Sequence, residues 1–572
     1  MIDLLGKPAG PASGLIRWIA AGASLLLWSG SAVPAWAQNR VVEDVVVEQS
    51  RIIERFSPPP VKGSASLRVP TLEERIPAEL AAQRSFVLRN IRIEGATELT
   101  PDDLRPLWAG LVGREIPVAD LFALTARIEQ RYLTAGILTV ATVPVQDLAD
   151  GDVRVVVFDQ SFIRTVETRG DDPRLRRRLD PYIAELVAMQ PLRIRRIERI
   201  LLLMSDIAGM NIEASLRRPE VPGNGGSLTL DIAFAKRVIR VSLDNRGTDE
   251  VGPVQAFGTY QENDVLGLFE STTLTGVTIP NQPRELLFGQ LAQDLPVGGD
   301  GLHVGYRLDA ASSRPGGELD SLDVEVASFT GEVYVSYPVL RTIAHSLWTN
   351  VALTARNTDV DIGGQTQSRD RYRWLSAGVA SEHDLGIGAL DLRAEYLQGI
   401  DLLDATDEGS ALASRTAAET EFQAATAGAA FSADLSERVG LVASLAGQYA
   451  FGPLPGEVQL SFGGEPYGRA FDNGTASGDS GILGSLELAV DTGAPVDIVL
   501  ASAVYGFVDY GALWFRGGDR DDGRTTIGSA GLGFRAVLDG GFAVDTTLAV
   551  PIDTGDAEDP GARVFLSLKK RF

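Results

Sequence analysis

The chain has no cysteine among its 572 residues. Thiolate metal sites, cysteine nucleophiles and disulfides are therefore excluded, and passage through an oxidising compartment leaves nothing to cross-link. Histidine is nearly as scarce. His303, His345 and His383 are scattered, with no ligand spacing that suggests a metal centre or a triad. No G-x-x-x-x-G-K-[ST] run occurs, so no P-loop is present for a nucleotide. No catalytic constellation stands out among the carboxylates, and the chain reads as a non-enzyme without cofactor. Basic charge is in deficit: 52 Lys and Arg face 76 Asp and Glu, a net −24. Contact with phosphate needs a basic face, so nucleic acid is not an expected partner. The deficit is uneven. Residues 1–236 carry 29 basic and 29 acidic side chains, whereas residues 237–572 carry 23 and 47, which is the whole imbalance. Long apolar runs are missing as well. Beyond residues 18–28 nothing approaches the roughly 18 apolar residues of a spanning helix. If the mature chain crosses a bilayer, it must do so as a closed barrel of strands.

The N-terminus has the form of a secretory signal. Lys7 and Arg17 precede an apolar stretch, and Ala35-Trp36-Ala37 is a small-residue cleavage site. Residues 1–37 are thus expected to be removed. In residues 38–56, Val42, Val45, Val46, Ile52, Ile53 and Phe56 lie near one helical face, interrupted by Gln49, and Ser57-Pro58-Pro59-Pro60 stops the helix. Periodicity alone leaves a docking helix and a frayed terminus equally open. Residues 57–84 read as a polar linker.

Residues 85–160 have a β-α-α-β-β rhythm. A strand ends at Gly95, Thr100-Pro101-Asp102-Asp103 caps a short helix, and a second helix from Pro117 carries Leu121, Leu124, Ile128 and Tyr132. A strand over residues 137–145, broken by Pro144, and one through Val153, Val155 and Val157 complete the unit. The rhythm recurs over residues 161–236. Helices near 173–187 and 192–208 there carry Arg174, Arg176, Arg177, Arg178, Arg193, Arg195, Arg196 and Arg199, which suit either a solvated face or a docking surface.

From residue 237 the apolar period becomes two and stays there. Leu302, Val304, Tyr306 and Leu308 alternate with polar neighbours, as do Val333, Val335 and Tyr337. One face is apolar and the other often charged, the pattern of a lipid-facing wall around a wet lumen. At roughly 20 residues per strand and connection, this region accommodates on the order of 16 strands. The chain ends on Phe572, in phase with a final alternating strand. Within the run, residues 462–471 read F-G-G-E-P-Y-G-R-A-F, one arginine among glycines and aromatics, a composition suited to folding back into a cavity.

Ile91-x-Ile93-x-Gly95-x-Thr97, Tyr132-x-x-x-Gly136 and Pro144-x-Gln146-x-Leu148-x-x-Gly151-x-Val153-x-Val155 resemble a POTRA domain of the hemolysin-activator type. The order of parts over residues 38–572 resembles the outer-membrane transporters of two-partner secretion. The resemblance implies α+β periplasmic POTRA domains (85–160 and 161–236) followed by an all-β transmembrane barrel (237–572) of about sixteen antiparallel strands, with 38–56 as a plug helix. Asp244-Asn245-Arg246-Gly247 looks like the family's D-N-x-G, Gly468-Arg469-Ala470-Phe471 like the tip of its long sixth extracellular loop, and Phe507-x-Asp509-x-Gly511 like its F-x-D-x-G. Period two puts Phe507, Asp509 and Gly511 on one face, and the family pairing carries over to Arg469 with Asp509. Lys570 departs from the terminal signal, where an aromatic often stands. The resemblance further implies a client-binding strand edge at Leu138, Thr139, Val140, Ala141, Thr142 and Val143. It implies residence in a Gram-negative outer membrane, a secreted exoprotein partner in extended form, contact with outer-membrane lipid, and the barrel assembly machinery during biogenesis. The acidic barrel is expected to favour cations. The alternative is an assembly factor for membrane proteins from the same superfamily; a passive porin fits the two domains ahead of the barrel less well.

Overall fold

The computed structural model describes residues 42, 45–47, 49, 50, 65–68, 84–170, 173–217, 223–517 and 523–572. The signal segment, Ile52, Ile53 and Phe56 of the expected helix, most of the linker, and the side chains of Arg174 and Arg176 lie outside the described residues.

The first α+β unit starts with strands β2 (Ser85–Val87) and β3 (Asn90–Glu94), after a linker strand β1 (Ala65–Arg68). Helix α1 (Pro101–Leu104) opens on Thr100, which accepts from the Asp103 amide while the Asp103 carboxylate accepts from the Thr100 amide, a reciprocal capping box. Strand β4 (Glu115–Pro117) pairs with β2, and helix α2 (Ala119–Thr134) follows. Its buried Leu121, Leu124, Thr125, Ile128 and Tyr132 share one face at helical spacing. That face covers a three-stranded sheet of β3, β6 (Asp152–Phe158) and edge strand β5 (Val140–Thr142). The edge strand is shorter than the sequence pattern suggests. Before it, the Leu138 amide donates to the Leu192 carbonyl at 3.0 Å and Ile137 bridges Arg193, so the chain leaves its own sheet to join the neighbouring unit.

The second unit contains β7 (Ile163–Arg169), helices α3 (Pro173–Ala188) and α4 (Ile194–Ser205), and strands β8 (Met210–Arg217) and β9 (Gly226–Phe234). Its sheet order is β1-β8-β9-β7, so the linker strand lies parallel to β8. Sequence reading leaves this four-residue stretch as linker because Ala-Ser-Leu-Arg has no strand signal apart from a partner edge.

Sixteen antiparallel strands then close a barrel, from Arg237–Asp244 to Arg563–Arg571, each paired to its neighbour in chain order and the last to the first. Strand residues with apolar side chains, such as Val335, Val351, Leu353, Leu486 and Val508, stand exposed on the outside, while Asp309, Thr330, Arg356 and Asp509 are buried within. An apolar belt of this extent has no place in water and is the lipid-facing band of a membrane barrel. No helix among the described residues is long and apolar enough to cross a membrane. The end of the barrel nearest the α+β units carries short turns; long connections crowd the far end.

Candidate functional site

The sixth far-end connection, residues 451–479, folds back into the lumen and is organised around Arg469. The guanidinium grips Asp509 on the thirteenth barrel strand (Val499–Trp514) through two bonds, Nε to Oδ2 at 3.1 Å and Nη2 to Oδ1 at 2.9 Å. Nη1 donates to Glu487 at 2.7 Å and Nη2 to Ser485 at 3.0 Å. The guanidinium carbon lies 3.6 Å from the centroid of Phe507. Asp509 is fully buried and also accepts from the amides of Gly468 and Arg469 and from Ser485 and Ser529. Bidentate charge-assisted bonding of this kind fixes direction as well as position.

Glycine makes the approach possible. Gly468 has φ +111°, and a Cβ there would stand 2.4 Å from the Phe462 ring. Gly511, two residues beyond Asp509 on the same inner face, leaves room for that ring; a Cβ would sit 2.7 Å from it. Phe462 and Phe471 meet edge to face at 6.0 Å. The sequence-expected set Arg469, Phe471, Gly468, Asp509, Phe507 and Gly511 is therefore gathered in one place. Sequence reasoning missed Glu487, Ser485 and Ser529, which come from strands twelve and fourteen and carry no motif of their own.

Asp244, Asn245 and Gly247 stand elsewhere, at the seam of first and last strands. That seam has five register pairs, Arg240 with Arg571 through Asp244 with Ser567. Asn245 extends it: its side chain donates to the Val564 carbonyl at 3.0 Å and accepts from the Leu566 amide at 2.6 Å. Asp244 accepts from the Arg246 amide, and the Gly247 amide donates to Pro253. Arg246, the variable position of the motif, reaches Glu465 of the inserted connection at 2.8 Å and stacks on Phe565. Phe572 exchanges backbone bonds with Ile239, and Lys570 lies over the Phe542 ring at 3.9 Å.

The lumen also holds the N-terminal helix. Val42, Val45 and Val46 pack against Leu319, Val324, Val326 and Val360. Gln49 bonds with Ser313 and Ser328, and Ser50 accepts from Arg356. The polar interruption is buried rather than exposed, because Ser313 and Ser328 of the wall meet Gln49 while the valines face an apolar patch.

Of the six candidate edge residues, Val140, Ala141 and Thr142 form β5. The Ala141 amide donates to the Glu129 carboxylate at 2.9 Å. Leu138, Thr139 and Val140 line an apolar cavity of about 220 Å³ between the two α+β units, with Phe158, Phe162 and Leu192; Val143 packs on the first unit's core. The arginine-rich helices meet the barrel's near-end turns. Arg178 forms a two-bond pair with Asp264 and covers the Phe269 ring. Arg199 donates to the carbonyls of Pro338 and Asp300, and Arg341 holds Asp206 through bonds of 2.9 and 2.7 Å. Arg193 pairs with Glu98 across the two units.

Comparison with known proteins follows these lines. Residues 235–536 match the family model described as haemolysin secretion/activation protein ShlB/FhaC/HecB, and residues 86–159 match the ShlB-type POTRA domain. Among solved structures, CdiB from Escherichia coli has a TM-score of 0.70 at 19% identity, covering 93% of this chain and 98% of that one. CdiB from Acinetobacter baumannii has a TM-score of 0.61 at 16% identity, with coverage of 93% and 99%. A sequence comparison with curated proteins gives no match.

Proposed function

Because the chain belongs to the haemolysin secretion/activation protein family ShlB/FhaC/HecB, it is an outer-membrane transporter of two-partner secretion, and we propose how its parts pass a secreted partner through the barrel. The near-end units stand in the periplasm and meet the exoprotein while it is extended. Residues 161–236 serve as a second POTRA unit. Strand addition to a sheet edge binds main chain and tolerates many side chains, as a client moving past requires. The pairing of β1 with β8 supports this reading, since one periplasmic edge already takes an extended segment of its own chain. At β5 the incoming strand replaces the Glu129 carboxylate on the Ala141 amide. The usable edge there narrows to Thr139, Val140, Ala141, Thr142 and Val143, because Leu138 is committed to Leu192.

Two inserts close the resting pore: the N-terminal helix at residues 42, 45–47, 49 and 50, and the connection 451–479 with Arg469 at its tip. The observation that carries the reading is that both sit against a polar wall, through Gln49, Ser50 and Arg469. The neutral bonds of Gln49 are each worth only about 0.5–1.5 kcal/mol net when water replaces them, so the helix can be released without a nucleotide. The buried Arg469–Asp509 pair, roughly 3–5 kcal/mol to break, makes the connection the more firmly held insert. Folding of the client outside then supplies direction. Lipid surrounds the apolar belt, and the barrel assembly machinery inserts the chain. No step calls for a catalytic residue.

The test is export in cells that express this chain with the large secreted protein encoded beside it. Secretion into the medium should depend on this chain. Secretion in its absence, or misassembly of other barrels as the main consequence of its loss, overturns the reading.

A further inference from the structure

The root of the same connection is built around a second buried carboxylate. Asp479 immediately precedes the twelfth strand (Ser480–Asp491) and is fully buried. Arg415, in the fifth far-end connection between Ala389–Gly399 and Gln423–Ser436, donates to it from Nη1 at 2.5 Å and from Nη2 at 3.0 Å. The amide of Arg516, which opens the seventh connection just past Trp514, donates to it at 2.7 Å. The Leu454 amide, on the rising arm of the sixth connection, donates at 3.1 Å, and the Leu454 carbonyl accepts from Arg415 at 2.6 Å. One carboxylate thus joins three connections and both arms of the lumen insert. From the wall, Gln448 of the eleventh strand (Val439–Ala450) donates to the carbonyls of Val458 and Asp479 at 2.9 and 3.0 Å. Leu454 is fully buried in one apolar cluster with Ala418 and Phe422 of the fifth connection.

A paired ribbon separates this root from the tip. Leu460–Phe462 runs antiparallel to Ala476–Gly478, with Leu460 opposite Gly478 and Phe462 opposite Ala476. The ladder between them makes the two segments move as one arm. The tip that the arm carries meets the wall through ion pairs, Arg469 with Asp509, Asp472 with Arg563 and Glu465 with Arg246. The two ends also differ in tether. Leu454 and Asp479 lie within a few residues of barrel strands, so the reach of the chain confines them. Residues 463–475 are joined covalently to the wall only through the ribbon.

We propose that the connection 451–479 opens as a hinged lid. Asp479 and Arg415 are positioning residues that keep its root in place while the ribbon swings the tip off Asp509. The inference rests on the reading of this connection as an insert that closes the resting pore. It adds that the fifth and seventh connections belong to the gate, because their Arg415 and Arg516 hold the carboxylate about which the lid turns. It also adds that the insert stays attached to the far-end rim while the pore is open, so that a client passes beside a displaced lid rather than through a lumen emptied of it.

Two single-cysteine reporters in the full-length, otherwise cysteine-free chain test the hinge, with an impermeant maleimide on intact cells. Ala470→Cys reports on the tip and Leu454→Cys on the root, both fully buried positions. Neither requires a partner, so the result is separate from whether export occurs. Arg469→Ala should speed labelling at the tip by about two orders of magnitude and leave the root within about twofold of its parent. Asp479→Asn removes the charge that Arg415 holds, and should speed labelling at least about tenfold at the root and, through the ribbon, at the tip as well. Arg415→Lys keeps the charge but loses the two-bond grip; it should speed the root by a smaller factor, and it replaces Asp479→Asn if that chain fails to assemble. Equal acceleration of both reporters by Arg469→Ala means that the connection leaves the lumen as one body and overturns the proposal. So does a root indifferent to Asp479→Asn and Arg415→Lys, which means that packing alone holds it. A heat-modifiable gel shift that falls in step with root labelling means a weakened barrel rather than a loosened hinge, and overturns it too.

Discussion

Replacing Arg469 with alanine tests the clasp directly. Asp509 receives six hydrogen bonds, two of them from the Arg469 side chain. The substitution removes those two, the bonds to Glu487 and Ser485 and the stacking on Phe507. Breaking a buried ion pair costs roughly 3–5 kcal/mol. The lower end applies here, because four donors remain on Asp509 and Glu487 keeps Arg535. A loss of about 3 kcal/mol shifts the balance between seated and released tip by roughly a hundredfold. The absence of cysteine provides a clean reporter. Ala470 is fully buried, so Ala470→Cys in an otherwise cysteine-free chain reacts with an impermeant maleimide only when the tip opens. Labelling on intact cells should accelerate by about two orders of magnitude when Arg469→Ala is added, with barrel abundance unchanged and export of the partner crippled. Labelling within about twofold of the parent, or full export at normal abundance, refutes the reasoning.

Asn245→Ala should weaken the seam by about 1–2 kcal/mol through the loss of two bonds, seen as a lower temperature for the heat-modifiable gel shift; an unchanged shift contradicts the role. A disulfide between Ser242→Cys and Lys569→Cys, register partners across that seam, should leave export intact if the client uses the lumen, and its abolition of export would point to lateral opening instead. Arg341→Ala strips the counter-charge from Asp206 and should speed proteolysis between the second periplasmic unit and the barrel, with a coupling of about 1–3 kcal/mol in a double-mutant cycle with Asp206→Asn; a coupling near zero means the contact does not hold the unit. In the first unit, burial pushes the Asp159 carboxyl up, but the amides of Glu98 and Thr97 and the Thr97 and Tyr132 hydroxyls outweigh it and hold the pKa below its ordinary 3.8. A lowered folded-state pKa contributes stability in full above the unfolded value, and that contribution is lost as pH falls through the folded one. Asp159→Asn should therefore unfold at lower urea than wild type at pH 7, monitored at Trp108, and converge with it in strong acid; a constant gap across pH contradicts the assignment.

Much of the architecture was legible because it is local. Alternation at period two follows from the pleat, so each strand announces its inner and outer face before any neighbour is known. Leu121, Leu124, Ile128 and Tyr132 likewise specify a helix with one buried side. Arg469, Phe507, Asp509 and Asn245 could be named because they sit in short motifs whose resemblance to a family is visible without coordinates.

The remainder depended on closure. Ser485, Glu487 and Ser529 reach Arg469 only because strands twelve to fourteen lie side by side in one register, and a slip of one residue would turn each outward. The two bonds of Asn245 span more than 300 residues of chain, and no local pattern encodes where a barrel's ends meet. The linker strand β1 has no propensity of its own and exists through the edge of β8. Leu138 leaves one sheet for a carbonyl in the next unit, and Gln49 is buried because Ser313 and Ser328 bond it from the wall. By itself the sequence determined which faces are apolar, where the helices lie and which motif residues matter, since those follow from backbone geometry and side-chain chemistry within a few residues. Which side chains share a site was decided by tertiary structure, because strand register and barrel closure set every contact between distant parts of the chain.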